Sequence, residues 1–482
     1  MTVVNTSSHA VEASDAAVEV RSLYESDKTI YARSVSGWFA GWRWALVWGT
    51  QLLFYGLPWL EWNARQAVLF DLGSRRFYIF NLVLYPQDFI YLTGMLILSA
   101  YALFLVTAVA GRVWCGFACP QTVYTEIYMW VERQFEGDRI ARMRLDAAPW
   151  TATKWLRKGG KQLAWIAIGL WTGFTFVGYF TPIQSLAIEA STLGFGPWEW
   201  FWVLFYGFAT YGNAGFMREQ VCKYMCPYAR FQSAMFDKDT LIISYDTERG
   251  EPRGSRPRTA DPKTLGKGDC IDCGLCVQVC PTGIDIRNGL QYECIGCAAC
   301  IDVCNGVMDK MKYPRGLIRY DTQNGLARHL KRTQVLSRIF RPRVLVYSAI
   351  MLLITAAFVT SLALRSPFRV DVIRDRGALA RQVEDGRIEN VYRLHVLNAT
   401  ESAQRYMIRV EGIAGLSVAS RAEFEVASTE DRWMAVNLQL LPAEARALGA
   451  GVHPMMFTVD RIDTGSGTPA TVREKSTFVV PR

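Results

Sequence analysis

The chain has 482 residues; 51% are hydrophobic, 13% aromatic and 20% charged, with a formal net charge of +9. The length exceeds one ordinary domain, and this mixture fits a membrane protein with sizeable soluble parts. The 12 cysteines fall in tight groups with none after Cys304, which argues for metal ligation and against a secreted disulfide framework.

Residues 1–35 are polar and patternless, so they read as a flexible tail, and they lack the layout of a cleavable signal peptide. Five apolar stretches follow, at about 42–62, 87–110, 162–182, 197–216 and 344–364, each near the ~20 residues that span a bilayer. The 16 tryptophans agree, because Trp gathers at the lipid interface. Arg43, at the edge of the first stretch, is placed to snorkel to the headgroups. Gly207, Gly212 and Gly215 make the fourth the weakest helix. The expected organisation is a membrane hairpin over 36–110, a loop over 111–161 and a second hairpin over 162–216. A cysteine-rich region over 217–343 and a fifth span then precede a last domain over 365–482.

Orientation follows from the basic residues. Segment 111–161 carries nine and 216–343 carries 21, whereas 162–215 carries none. Both rich segments are therefore expected in the cytoplasm, with the N-terminus inside and the C-terminal domain outside. Long translocated domains escape this rule, so the basic residues after 365 do not oppose it. The region 216–343 has a net charge of +7, suited to holding anionic clusters near the membrane. No nucleic-acid recognition motif accompanies that charge.

Spans two and four end alike, in Cys115-Gly116-Phe117-Ala118-Cys119-Pro120 and in Cys222-Lys223-Tyr224-Met225-Cys226-Pro227. Cysteines four apart share a helical face, and the proline marks a kink or a helix end. Two equivalent hairpins in one orientation imply a pseudo-two-fold axis along the membrane normal. The four thiols can meet at the bilayer edge, where soft thiolates favour Cu(I), an iron–sulfur cluster or zinc or cycle as disulfides. The plainer alternative is that they are small buried apolar residues.

Cys270-x2-Cys273-x2-Cys276-x3-Cys280-Pro281 is the bacterial ferredoxin run, and Cys294-x2-Cys297-x2-Cys300-x3-Cys304 repeats it. In two-cluster ferredoxins the fourth cysteine of each run serves the other cluster. Cluster one is thus expected on Cys270, Cys273, Cys276 and Cys304, and cluster two on Cys294, Cys297, Cys300 and Cys280. Structural zinc rarely uses three cysteines in such a row. Asn305 stands where a second proline often follows the run.

Histidine supplies a negative. The four residues His9, His329, His395 and His453 lie outside every expected span, which excludes a bis-histidine haem there. His453-Pro454-Met455-Met456 reads as a strand start before it reads as a copper site. In the last domain, alternating segments at Tyr392–Leu397, Arg405–Val410, Trp433–Leu438 and Met456–Val459 predict an antiparallel sandwich.

The order of two Cys-x3-Cys-Pro pairs, a double ferredoxin run, a further span and a cysteine-free sandwich resembles the cytochrome c oxidase accessory family called CcoG, FixG or RdxA. The segment Ile243-Ser244-Tyr245-Asp246 through Arg249-Gly250-Glu251-Pro252-Arg253-Gly254 is similar too. The resemblance implies a mixed fold: a five-helix membrane bundle, a two-[4Fe–4S] ferredoxin domain and an immunoglobulin-like C-terminal domain. It implies reduction of Cu(II) to Cu(I) for assembly of a cbb3-type oxidase. Cys115, Cys119, Cys222 and Cys226 would be the copper-handling thiols, with a cytoplasmic electron donor and copper chaperones or assembly factors as partners. A homodimer is open. A quinol-linked electron-transfer subunit and an assembly scaffold are the competing functional readings.

Overall fold

The computed structural model describes residues 29–481 apart from 64, 261, 263, 376, 378–379 and 463–469. The expected flexible tail lies outside the described residues as far as position 28. Residues 29–35 are docked, contrary to that expectation: Arg33 N donates to Gln278 O (2.8 Å), and Ser34 binds Asp138 through both its amide and its hydroxyl.

Helix α1 (Trp38–Gly56) ends six residues before the expected limit, because Pro58 opens a short 3-10 turn. The connection to the next helix, expected only as a loop, folds into an antiparallel sheet of β1 (Val68–Asp71), β2 (Arg76–Ile79) and β3 (Leu82–Leu84). Helix α2 (Phe89–Ala110) follows, then α3 (Val113–Phe117), α4 (Pro120–Glu136) and α5 (Arg139–Ala147). Helix α6 (Ala152–Val177) begins ten residues ahead of the expected span. Its first turns are held by charge, not by lipid: Lys161 reaches Glu136 (2.8 Å) and Lys158 reaches Glu136 (3.1 Å) and Asp146 (2.6 Å). Glu132 joins this buried network through Arg142, Arg218 and Lys161.

Helices α7 (Ile183–Thr192) and α8 (Pro197–Gly212) come next; wider π turns over Asn213–Met217 and Val221–Met225 continue α8. Two of the glycines that weaken this span in isolation, Gly207 and Gly215, serve its packing on α6, Gly215 against Trp165. A Cβ on Gly173 would lie 2.1 Å from Val203 O, and one on Gly169 2.8 Å from Gly207 O. Small residues thus let α6 and α8 pack backbone to backbone. Gly173→Leu should force them apart and cost about 1–3 kcal/mol, read as a lower midpoint for thermal unfolding in detergent.

Two helices are long and apolar enough to cross a membrane by length and composition, Pro86–Ala110 and Pro342–Ala363. Between them lie α9 (Pro227–Met235), strand β4 (Ile242–Tyr245), the two ferredoxin loops, α10 (Ala299–Met311) and β5 (Ile318–Asp321), which pairs with β4. With Asn305 in place of proline, α10 runs unbroken past Cys304, and Asn305 Oδ1 accepts from Gly316 N (3.0 Å).

Helix α11 (Pro342–Ala363) packs along α2 and leads into the C-terminal domain. This domain is a sandwich of two antiparallel sheets. One runs Ser417–Val418, Asp431–Leu440, Ile388–Asn398, Phe368–Arg374; the other runs Glu423–Val426, Gln404–Glu411, Gly451–Arg461, Thr471–Val480. All four expected strands are present, lengthened at both ends. Tyr392, Tyr406, Phe457 and Phe478 fill the space between the sheets. Met455 belongs to that core and His453 Nε2 meets Gly449 O (2.9 Å), so the His-Pro-Met-Met segment is strand. The domain is clamped to the start of α2, where buried Asp88 pairs with Arg365 and Arg369.

Candidate iron–sulfur and thiol site

The two ferredoxin runs follow one backbone path. In the first, Asp272 and Gly274 have positive φ (53° and 66°); in the second, Gly296 and Ala298 do (70° and 61°). These are the third and fifth residues of each run. Alternating left-handed residues curl a loop and turn successive N–H groups inward, a concavity suited to anions such as iron–sulfur centres. Asp272 and Ala298 carry the cost of this shape without glycine's freedom.

The thiols fall into two groups. Cys304 lies within electrostatic reach of Cys270, Cys273 and Cys276, which come from the other run. Cys300 faces Cys294, Cys297 and Cys280, and also Cys276 of the neighbouring group. Cys270, Cys273, Cys276 and Cys304 line one cavity with apolar walls that include Leu275, Leu317 and Ile318. That donor set, four soft thiols around an apolar space, fits a thiolate-ligated cluster. Burial pushes the Cys276 thiol up to about 11 and those of Cys294 and Cys304 to about 12. Iron must therefore displace protons as it binds.

The second pair of motifs lies alongside. Cys115 sits in α3, with its Sγ 3.5 Å from Gln232 Oε1 of α9. Cys119 precedes Pro120 at the start of α4, and Cys226 precedes Pro227 at the start of α9. Each proline thus opens a helix at its first position, where a missing N–H costs nothing, instead of kinking the preceding one. Cys222 lies in the wide turn before α9. The repeat is reciprocal: α4 packs on α6 and the end of α8, and α9 packs on α2. Each post-motif helix thus lies on the other hairpin, and Cys222 comes into electrostatic reach of Cys115, Cys119 and Cys226. Among the described residues no three His, Cys, Asp or Glu side chains are close enough to share a single metal ion. The four thiols are grouped without being drawn onto one point.

The two sites touch. A Cβ on Gly116 would lie 2.7 Å from the Cys297 backbone, so the residue after Cys115 rests on the second ferredoxin loop. Gly296 in turn sits against the Arg112 backbone, and Cys115 and Cys222 pack with Cys297 and Cys300 around Ile295. Buried Arg112 ties the parts together, donating to Tyr292 O of the ferredoxin region and to Ala229 O of α9. Its charge opposes the rise that burial imposes on Cys115, Cys222 and Cys294. Arg43 does not snorkel. It is 6% exposed and faces Glu126 (3.9 Å), Cys297 and Asp302, because the ferredoxin loop covers the start of α1. Sequence reasoning missed Arg112 as a site residue; three residues before Cys115, it has Glu219 as its counterpart in the other copy, so the repeat does not mark it.

Family models and curated relatives match most of the chain. A 4Fe–4S dicluster domain matches residues 217–323 and a 4Fe–4S binding domain matches 92–136. The immunoglobulin-like fold of the FixG C-terminus matches 358–481. The chain is 38% identical over 433 residues to the nitrogen fixation protein FixG of Rhizobium meliloti, covering 83% of each chain. It is 40% identical over 466 residues to protein RdxB of Cereibacter sphaeroides, covering 95% of this chain and 93% of that one. A solved FixG-related protein from Vibrio parahaemolyticus is 25% identical and covers 24% of this chain and 97% of its own, with a TM-score of 0.20. The chain therefore belongs to the FixG family of iron–sulfur proteins, together with RdxA and RdxB.

Proposed function

We propose that this protein is a membrane-embedded cupric reductase that converts Cu(II) to Cu(I) for assembly of a cbb3-type cytochrome c oxidase. The observation that carries the reading is the seating of Cys115-Gly116 directly on Gly296–Cys297. Cysteines that can bind copper thereby adjoin cysteines that can bind iron. Cys270, Cys273, Cys276 and Cys304 would hold one [4Fe–4S] cluster, and Cys294, Cys297, Cys300 and Cys280 the other. When bound, the clusters supply single electrons at the edge of the thiol group.

The chain's own residues do the rest. Cys115, Cys119, Cys222 and Cys226 receive Cu(II) as substrate, and a pair of thiolates suffices to hold the Cu(I) that forms. Soft thiolates stabilise Cu(I) over Cu(II), so the protein environment itself favours the product. Arg112 offsets the negative charge gathered by thiolates on both sides of the contact. Each Cu(II) takes one electron, and an electron donor restores it.

The five helices α1, α2, α6, α8 and α11 would form the membrane bundle, with the ferredoxin region in the cytoplasm and the sandwich outside. Alkaline phosphatase fused after Val480 should then be active and, inserted near Lys267, silent; the reverse pattern would overturn the orientation. The reductase reading is tested with anaerobically purified, dithionite-reduced protein freed of excess reductant. It should convert Cu(II) to Cu(I), detected with a Cu(I)-specific chelator, in proportion to the electrons stored. Protein that carries reduced clusters yet leaves Cu(II) untouched would sink the reading.

A further inference from the structure

We infer that a groove between α1, α4 and α6 binds an isoprenoid quinol, which serves as an electron donor to the iron–sulfur region. This rests on the electron-transfer reading above. The groove has a volume of about 880 Å³, within the range of small-molecule sites. Four tryptophans wall it, Trp44, Trp48, Trp130 and Trp171, flat apolar surfaces suited to a quinone ring and its tail.

Polar groups make it more than a lipid-covered face. Gln51 lines the groove and is 9% exposed. Its Oε1 has no hydrogen-bond partner. A buried amide oxygen left unpaired costs about 1–3 kcal/mol, and turning the Gln51 side chain into the groove would let a ring hydroxyl satisfy it. Arg133 lines the groove as well and adds a positive charge to its wall.

The groove also leads to the redox centre. Trp44, Trp130 and Arg133 line a second cavity, shared with Arg43, Glu126 and Met129. Arg43, Glu126 and Met129 then line a third, whose far wall holds Cys222 and Cys297. Arg43 Nε is a second buried atom without a partner on this line. Two small cavities that share wall residues thus lie between the groove and Cys222 and Cys297. Oxidation of the quinol to quinone releases two electrons, taken singly by the one-electron iron–sulfur centres, and two protons, one taken by the Glu126 carboxylate beside Arg43 and one released to water at the mouth of the open groove.

The test uses full-length, cluster-loaded protein in quinone-free phosphatidylcholine nanodiscs. Decyl-benzoquinone should quench the fluorescence of the groove tryptophans saturably, and decyl-benzoquinol should reduce the clusters, read by EPR. Gln51→Leu, which removes the acceptor at constant size, should weaken quinone binding about tenfold. Ala167→Trp, which fills the groove, should abolish both signals. Both variants should keep their iron and be reduced by dithionite as fast as wild type. Equal quinone affinity in all three proteins, or phospholipid tails as the sole occupant found by native mass spectrometry with no quinone displacement, would overturn the site. Saturable binding without cluster reduction would overturn its role as donor. Cu(II) reduction driven by dithionite is measured separately, so loss of the quinol site and loss of the copper reading are distinguishable.

Discussion

Replacing Cys115, Cys119, Cys222 and Cys226 together by serine should abolish Cu(II) reduction and leave the iron content of the protein unchanged. Hydroxyl is a hard, poor ligand for Cu(I). The rate should fall at least about 100-fold, the upper end of what changes in outer-shell residues alone cost a metal site. The fold should tolerate the change, because none of the four thiols is wholly buried and serine is smaller. Cys119 and Cys226 precede the prolines that open α4 and α9, a position serine caps well. The ferredoxin thiols, on separate loops, should still take up iron, measured with acid-labile sulfide and by EPR after dithionite. Loss of iron together with activity would show that these thiols ligate or seal an iron–sulfur centre. Copper reduction at the wild-type rate would show that the ferredoxin loops act on copper directly. Oxidase assembly supported by a variant with no redox turnover would favour a scaffold.

What the sequence made legible follows from spacing. A ligand motif is local, so three cysteines in a Cys-x2-Cys-x2-Cys row name their chemistry before any fold is known. Alternation across a strand is local too, and the sandwich was readable from Tyr392–Leu397 and Arg405–Val410 for that reason. Hydropathy placed the five helices but not their ends. The start of α6 is set by Lys158 and Lys161 finding Glu136, a partner some twenty residues away that no window sees. The glycines of α8 misled for a related reason. Their local propensity is poor, yet Gly207 meets the α6 backbone at Gly169. The least legible feature is the one on which function turns. Nothing in the periodicity places Gly116 on Cys297, buries Arg43 beside Cys297 or brings Arg112 between α9 and the ferredoxin region. These contacts join segments about 120 to 250 residues apart and exist only once the chain has folded.

The crossed use of the fourth cysteine makes a sharper expectation than iron content alone. Removing Cys304 should destroy the cluster on Cys270, Cys273 and Cys276, although Cys304 belongs to the other run. Iron should fall from about eight to about four atoms per chain. Cys304→Ala and Cys273→Ala should each give that loss, and the double variant should lose no more, since both act on one cluster and their effects are not independent. Cys273→Ala combined with Cys280→Ala should lose nearly all iron, because the second change strikes the cluster on Cys294, Cys297 and Cys300. The geometry behind this is the placement of α10, which carries Cys304 past the first run while Cys280 stands with the second. If each run instead served its own cluster, the outcomes would exchange: Cys273 with Cys280 would retain about four irons, and Cys273 with Cys304 would retain almost none. The two results differ by a whole cluster, so iron analysis and the EPR intensity of the reduced variants decide between them.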